Sequence, residues 1–151
     1  MRNLYNIFIF LYKIYIGIYS LFNKKINKIV ANQINIIEKI YSETKGHKNI
    51  VWFHAASLGE FEQGKSVILS YKNKNPKHKT LLTFYSPSGH DVIKKNSITD
   101  WVFYLPHDTK RNAEFMARKI QPIKVIFIKY EFWYNYIHEL YKHNIPIYFI
   151  S

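Results

Sequence analysis

Residues 49–151 alternate between unbroken apolar runs and longer segments whose apolar residues have helical spacing. Unbroken apolarity is typical of strands that are covered on both faces, as in a parallel sheet. The apolar runs are IVWFH (50–54), LLTFY (81–85), WVFYL (101–105), VIFIK (125–129) and IYFI (147–150). Helical candidates lie between them at 60–73, 88–96, 109–119 and 132–143. The alternation predicts right-handed βαβ units and an α/β domain with a doubly wound parallel sheet.

The N-terminal segment 4–22 is apolar or aromatic apart from Lys13 and a few small polar residues. At 1.5 Å per residue, a helix of this length spans about 28 Å, close to the hydrocarbon thickness of a bilayer. Its tyrosines favour the membrane interface, Lys13 would have to snorkel, and no small-residue cleavage site follows. We therefore predict a membrane-anchor helix over residues 1–23 that spans the bilayer or lies in its interface. The alternative is a buried core helix.

Helical spacing of apolar residues continues through 24–45, and Gly46 is a suitable helix end. We predict an amphipathic linker helix over residues 24–48 that runs along the membrane face. Lys24, Lys25 and Lys28 directly follow the anchor. By the positive-inside rule, this end and everything after it lie on the cytoplasmic side.

The composition narrows the possible chemistry. A chain of 151 residues is one ordinary domain with room for a core. It has no cysteine, and its seven histidines lack metal-ligand spacing, so we predict no disulfide, thiolate nucleophile or metal site. The formal charge of +12 reflects lysines on solvated faces or, alternatively, a basic surface that meets acidic lipid. No helix-turn-helix, RRM or zinc signature supports a nucleic-acid partner.

Ligands of doubly wound sheets bind at the carboxyl ends of the strands, so the loops there are the candidate sites. The first loop reads HAASLGEFEQG and lacks the glycine patterns of dinucleotide and P-loop sites. Ser57 and Glu60 match a capping box, in which the glutamate reaches back to the amide of the cap residue. The helix dipole also favours an anion in the first helical turn, so Glu60 is available as a proton acceptor.

The loops after the second and third strands also carry polar groups. Ser86 is a suitable helix cap before Pro87, and the same free amides and hydroxyls could hold an anionic or sugar group. Asp108 is a candidate cap for the helix that follows the third strand. His107 beside it is either plain surface or a ligand contact.

The loop after the fourth strand reads KYEFWYNY and places Lys129 and Glu131 at a strand-to-helix turn. Phe132 and Trp133 are more typical of a core than of a ligand platform, whereas Lys129 and Glu131 are harder to explain by packing. Glu60 and Glu131 would converge on one crevice from two loops. Such a pair suits acid–base chemistry on a polyhydroxylated substrate.

The segments HAASLGEFEQG, TFYSPSGHD, YLPHDT, KYEFWYNY and NIPIYFIS occur in the order and spacing of the N-terminal half of the 3-deoxy-D-manno-octulosonic acid (Kdo) transferases. Residues 49–151 resemble this family, most closely its Bacteroidetes branch. The resemblance implies a GT-B glycosyltransferase with two Rossmann-like domains, of which residues 49–151 form the acceptor-side domain. It implies no cofactor, and an inverting transfer of Kdo from CMP-Kdo to a lipid A precursor at the cytoplasmic face of the bacterial inner membrane.

The resemblance also implies roles for individual residues. Glu60 matches the family's proposed general base, and Glu131 matches a family glutamate. Lys129 stands where many members carry a glutamate with a transition-state role, so the charge there is reversed. We expect substrate contacts from His54, Ser57, Gly59, Ser86 and Ser88.

The chain stops at Ser151, whereas members of the family are much longer and carry the CMP-Kdo site on a second domain. We therefore expect this chain alone to be inactive. It would be a fragment of a longer protein, or a short product that needs a separate chain for the donor domain. The alternative function is a non-catalytic, membrane-tethered, lipid-binding remnant of such an enzyme.

Overall fold

The computed structural model describes residues 2–95 and 98–151, and within them five strands form one sheet. The strands are Ile50–Ala55 (β1), Lys79–Phe84 (β2), Trp101–Tyr104 (β3), Lys124–Ile128 (β4) and Ile147–Ile150 (β5). Their order is β3-β2-β1-β4-β5, and every neighbouring pair is parallel. The predicted α/β class with a parallel sheet is confirmed. The order reverses between β1 and β4, which is where such sheets bind ligands.

Helices precede the sheet and connect its strands. They are Arg2–Tyr19 (α1), Lys24–Asn32 (α2), Ile36–Thr44 (α3), Leu58–Lys74 (α4), Pro87–Lys95 (α5), Lys110–Phe115 (α6) and Tyr134–Lys142 (α7), with a π-helical turn at Met116–Ile120 after α6. The prediction of one continuous helix over 24–45 is wrong. Asn35 has a φ of 54°, and a left-handed residue, which asparagine tolerates, cannot continue a right-handed helix. Gly46, with a φ of 85°, follows the end of α3 as predicted.

Apolar side chains cover both faces of the sheet. On one face α4 and α5 pack through residues such as Phe61 and Ile68, and on the other α3, α6 and α7 pack through residues such as Ile40 and Leu140. A Cβ at Gly64 of α4 would lie 2.3 Å from Ile128 of β4. The glycine therefore lets α4 lie close against β4, and this brings the beginning of α4 near the loop after β4.

Helix α1 is held against the domain largely by polar contacts. The Arg2 guanidinium lies 2.5 Å from the buried Glu139 carboxylate, the Tyr5 hydroxyl donates to Asp108 at 2.6 Å, and the hydroxyls of Tyr12 and Tyr85 lie 2.6 Å apart. Polar groups in the loops after β2 and β3 and on α7 therefore provide the surface that receives this helix.

Much of α1 nevertheless remains apolar and exposed. Its exposed large hydrophobic residues are Leu4, Ile7, Phe8, Phe10, Leu11, Ile14, Tyr15, Ile18 and Tyr19. Across residues 2–95 and 98–151, no helix combines the length and apolarity that are needed to cross a bilayer. The membrane anchor remains a prediction.

Candidate active site

The loops that follow β1 and β2 are joined directly at the carboxyl edge of the sheet. The Ser86 amide donates to the Ala56 carbonyl at 2.8 Å. Because β1 lies between β2 and β4, the loop after β4 borders the same place. Three of the sequence-predicted loops therefore meet at one edge.

Glu60 lies in the first turn of α4 and forms part of the helix cap. Ser57 is the N-cap, and its hydroxyl accepts from the Glu60 amide at 3.4 Å. The Glu60 carboxylate accepts from the Ala56 amide at 2.6 Å, one residue before the cap amide that the capping box predicts. Ala56 is the first residue beyond β1, so its amide needs an acceptor outside the strand ladder. One Glu60 oxygen thus anchors the side chain, and the other is left for different contacts.

Glu131 lies in the loop between β4 and α7, within electrostatic reach of Glu60. Burial raises the pKa of Glu131, the negative charge of Glu60 raises it further, and the Trp133 indole opposes the shift. The carboxylate is partly buried, with 22% of the side chain exposed. A carboxylate in the first turn of α4 and one in the loop after β4 therefore lie within electrostatic reach of each other, and the charge of Glu60 makes ionisation of Glu131 less favourable.

His54 is fully buried at the end of β1 and supports the site from beneath. Its Nδ1 lies 3.0 Å from the Thr83 carbonyl oxygen, and its Nε2 lies 3.2 Å from Nε1 of Trp133, which donates to it. Burial lowers the pKa of His54 to about 3, so the imidazole is neutral. A Glu131 carboxylate oxygen lies 3.9 Å from the same Nε2. With no exposed surface, His54 orients Trp133 in this structure and does not itself face the crevice.

The remaining predicted contact residues lie at the beginnings of α4 and α5. Gly59 is exposed, and a Cβ added there would meet nothing within 4 Å. The Ser86 and Ser88 hydroxyls lie 2.9 Å apart, and Ser86 also accepts from the Ser88 amide at 3.4 Å, which makes it the predicted cap of α5. Ser57 and Gly59 thus lie at the beginning of α4, and Ser86 and Ser88 at the beginning of α5, where free amides favour anionic groups.

Lys129 takes a left-handed conformation, with a φ of 70°. Its amide donates to the Ile150 carbonyl of β5 at 2.7 Å. This conformation is uncommon for residues other than glycine and asparagine. It turns the chain sharply out of β4, which directs the loop that carries Glu131 back over the sheet edge.

The two residues singled out after β3 have structural positions that differ from the prediction. Thr109, not Asp108, caps α6. Asp108 instead accepts from the Asn135 and Tyr136 amides of α7 at 3.0 and 2.9 Å, so it caps a helix that begins 26 residues later in the chain. His107 is not plain surface, but it lines a cavity of about 320 Å³ together with Lys13 and Gln33. It is buried, and this burial, with the charge of Lys13, lowers its pKa to about 4.

Sequence reasoning missed the aromatic groups that connect α1 to this site. The hydroxyls of Tyr12 and Tyr85 form a hydrogen bond, and the ring centroids of Tyr85 and Trp133 lie 5.2 Å apart. Phe132 beside Trp133 is 68% exposed, although aromatic residues after a strand were interpreted as core. The indole N–H of Trp133 and the hydroxyl of Tyr85 were the available signals, because buried polar tips require partners.

Residues 31–151 match the model of a family described as 3-Deoxy-D-manno-octulosonic-acid transferase (kdotransferase). The chain belongs to the Kdo transferase family. Three curated relatives carry the name 3-deoxy-D-manno-octulosonic acid transferase. The protein from Aquifex aeolicus (strain VF5) is 27% identical over 104 residues, which cover 67% of this chain and 29% of the relative.

The other two relatives give similar values. The Haemophilus influenzae protein is 31% identical over 98 residues, which cover 64% of this chain and 23% of the relative. The protein from Chlamydia trachomatis serovar D is 29% identical over 97 residues, which cover 63% and 22%. The chain thus spans less than a third of the length of these Kdo transferases. A closer relation to the Bacteroidetes branch remains a prediction.

Proposed function

We propose that this chain forms the acceptor-side half of a Kdo transferase that acts in lipopolysaccharide biosynthesis. The observation that carries the proposal is that Glu60, at the beginning of the helix after β1, and Glu131, in the loop after β4, lie within electrostatic reach of each other at the carboxyl edge of the sheet. Membership of the Kdo transferase family supports the transferred sugar. The expected donor is CMP-Kdo, bound outside this domain, and the expected acceptor is a lipid A precursor.

Glu60 is assigned the role of general base. Its carboxylate is anchored by the Ala56 amide, so it is held still while an oxygen remains free to approach an acceptor hydroxyl. As the acceptor O–H loses its proton to Glu60, the oxygen attacks the anomeric carbon of Kdo and the bond to the CMP phosphate breaks. Attack from the face opposite the leaving group inverts the anomeric centre. A positioned base of this kind contributes roughly 10²- to 10⁴-fold to the rate.

Glu131 and Lys129 are assigned supporting roles at the same edge. Burial and the charge of Glu60 raise the pKa of Glu131, which makes its protonation easier, and a protonated Glu131 can donate a hydrogen bond to the acceptor while Glu60 remains the base. Lys129 supplies a positive charge where a carboxylate is common in the family, and this charge suits the phosphate or carboxylate groups of the substrates. The free amides at the beginnings of α4 and α5, near Gly59 and Ser88, suit the same groups.

The proposed location is the cytoplasmic face of the bacterial inner membrane. The exposed apolar residues of α1 and the basic residues of the N-terminal segment support a contact with lipid. A lipid acceptor is presented at that surface, so attachment of the domain there would bring the acceptor hydroxyl to the carboxylate pair.

The test is Glu60→Gln in the gene product at its natural length, assayed in membranes of cells that lack any other Kdo transferase. Membranes receive CMP-Kdo and a lipid A precursor, and the mass of the lipid product is measured. We expect a loss of about 10²-fold or more, because the amide cannot take the proton. Glu62→Gln is the matched control, since Glu62 is exposed on the next part of α4 and its change should leave the rate unaltered.

Two outcomes would contradict the proposal. Full activity of the Glu60→Gln protein would remove Glu60 as the base. Binding of the lipid A precursor without any turnover, even when a donor-binding partner chain is supplied, would favour the non-catalytic lipid-binding alternative.

A further inference from the structure

A groove of about 280 Å³ separates α1 from the loop that carries Glu131. One wall is formed by α1, and the other by Tyr85 and the segment 131–133. Its lining residues are Tyr5, Phe8, Ile9, Tyr12, Tyr85, Glu131, Phe132 and Trp133. Seven of these eight are aromatic or aliphatic, so the groove suits a hydrocarbon and offers little to a polar ligand. The one carboxylate in the lining is a member of the candidate catalytic pair.

The groove is continuous with the exposed apolar face of α1. Phe8 belongs to both, since it lines the groove and is 61% exposed. Phe132 on the opposite wall is 68% exposed. An apolar chain that leaves the outer face of α1 can therefore enter the groove without crossing a polar rim. The part of α1 that lines the groove, from Tyr5 to Tyr12, is about 10 Å long at 1.5 Å per residue.

The charge of the surrounding segment favours an anionic lipid. Residues 1–37 contain Arg2, Lys13, Lys24, Lys25 and Lys28 and no aspartate or glutamate. Lys13, Lys24 and Lys25 are exposed. An apolar face bordered by basic residues is the usual composition of a helix that lies on an anionic membrane surface.

We propose that the groove binds one fatty acyl chain of an anionic membrane lipid. The bound acyl chain would place the lipid headgroup at the Glu131 end of the groove. This inference rests on the proposed function, in which the physiological lipid is the acceptor of the transferred Kdo. The tyrosine pair Tyr12–Tyr85 and the indole of Trp133 make one connected wall, from α1 to the carboxylate. An acyl chain bound there fixes the distance between the membrane surface and the acceptor hydroxyl. The groove therefore positions the acceptor relative to the carboxylates.

The experiment uses the chain with vesicles of phosphatidylglycerol that carry bromine in the acyl chains. Bromine quenches tryptophan fluorescence at short range, and Trp133 lines the groove. Trp52 is fully buried within β1, and Trp101 begins β3 at the opposite edge of the sheet. We expect most of the Trp133 emission to be lost on binding, and Trp133→Phe to remove the quenchable component. Absence of quenching in the fully bound wild-type chain would overturn the proposal.

Phe8 and Phe10 provide a matched pair. Both lie on α1, both are 61% exposed, and Phe8 alone lines the groove. Phe8→Asp and Phe10→Asp should weaken binding to vesicles similarly. At lipid concentrations that bind all of the protein, quenching of Trp133 should persist in Phe10→Asp and disappear in Phe8→Asp. Equal quenching in the two variants would show that the protein contacts lipid only through the outer face of α1.

Two further measurements keep the alternatives apart. Equal binding to brominated phosphatidylcholine vesicles would overturn the preference for an anionic lipid. A wild-type dimer without lipid that becomes monomeric in Phe8→Asp would assign the groove to a second copy of the chain. Because Glu60 does not line the groove, Glu60→Gln should leave the quenching unchanged. Failure of the base assignment and failure of the groove proposal are therefore distinguishable.

Discussion

Asp108 and Glu131 are two carboxylates that follow strands of the same sheet, and burial raises the pKa of both. Their surroundings differ. Asp108 accepts hydrogen bonds from the Tyr5 hydroxyl and from two amides of α7. Glu131 lies within electrostatic reach of Glu60, and its hydrogen-bond partner, the Trp133 indole, also donates to His54.

The difference distinguishes a carboxylate that stabilises the fold from a carboxylate that is available for chemistry. A buried carboxylate whose oxygens all have donors holds elements together, because removal of any partner leaves an unsatisfied group. A desolvated carboxylate beside a like charge does not stabilise the folded protein. Such groups are concentrated at functional sites. Asp108 therefore joins α1 to α7, and Glu131 is available to a substrate.

The largest expected effect comes from Asp108→Ala. The change leaves two helix amides and the Tyr5 hydroxyl without their acceptor, so we expect the free energy of unfolding to fall by about 3 kcal/mol. Urea denaturation followed by circular dichroism measures it. Glu62→Ala is the control, because Glu62 pairs with Lys65 at the surface and should lose at most about 1 kcal/mol. Similar losses in the two variants would contradict a structural role specific to Asp108.

A smaller effect is expected from Trp133→Phe, which breaks the link between His54 and the Glu131 loop. The fully buried Nε2 of His54 loses its donor, so the free energy of unfolding should fall by about 1–2 kcal/mol. Trp101→Phe provides the comparison, since its ring contacts His47 at the opposite edge of the sheet. In the natural-length protein, Trp133→Phe should also lower the transfer rate, while Trp101→Phe should not.

The smallest effect, and one of opposite sign, is expected from Glu131→Gln. The pKa of Glu131 is raised in the folded protein, so the unfolded chain ionises first and the wild type loses stability as pH rises above about 4.5. Glutamine cannot ionise, so the variant should be more stable than the wild type at about pH 8 and similar to it at about pH 4. Urea denaturation of both proteins at each pH checks this. Glu62→Gln should show no such pH-dependent gain.

Much of the site was predictable because it depends on short stretches of chain. Glu60, Ser57 and Ser86 lie within a few residues of the strand ends, and parallel strands bring their carboxyl ends to one edge. Asp108 shows where this reasoning stops. Spacing favoured a cap for α6, but Thr109 occupies that place and Asp108 caps α7, because the two helices pack on the same face. No local pattern encodes that contact.

The sequence by itself determined the succession of strands and helices along the chain, the parallel class of the sheet and the strand ends that Glu60 and Glu131 follow. These follow from apolar runs, caps and strand direction, all of which act over short distances along the chain. Only the tertiary structure decided how α1 is placed. Its polar contacts reach Asp108 and Glu139, more than 100 residues away, so its packing against Tyr85 and Trp133 depends on the folded surface that receives it.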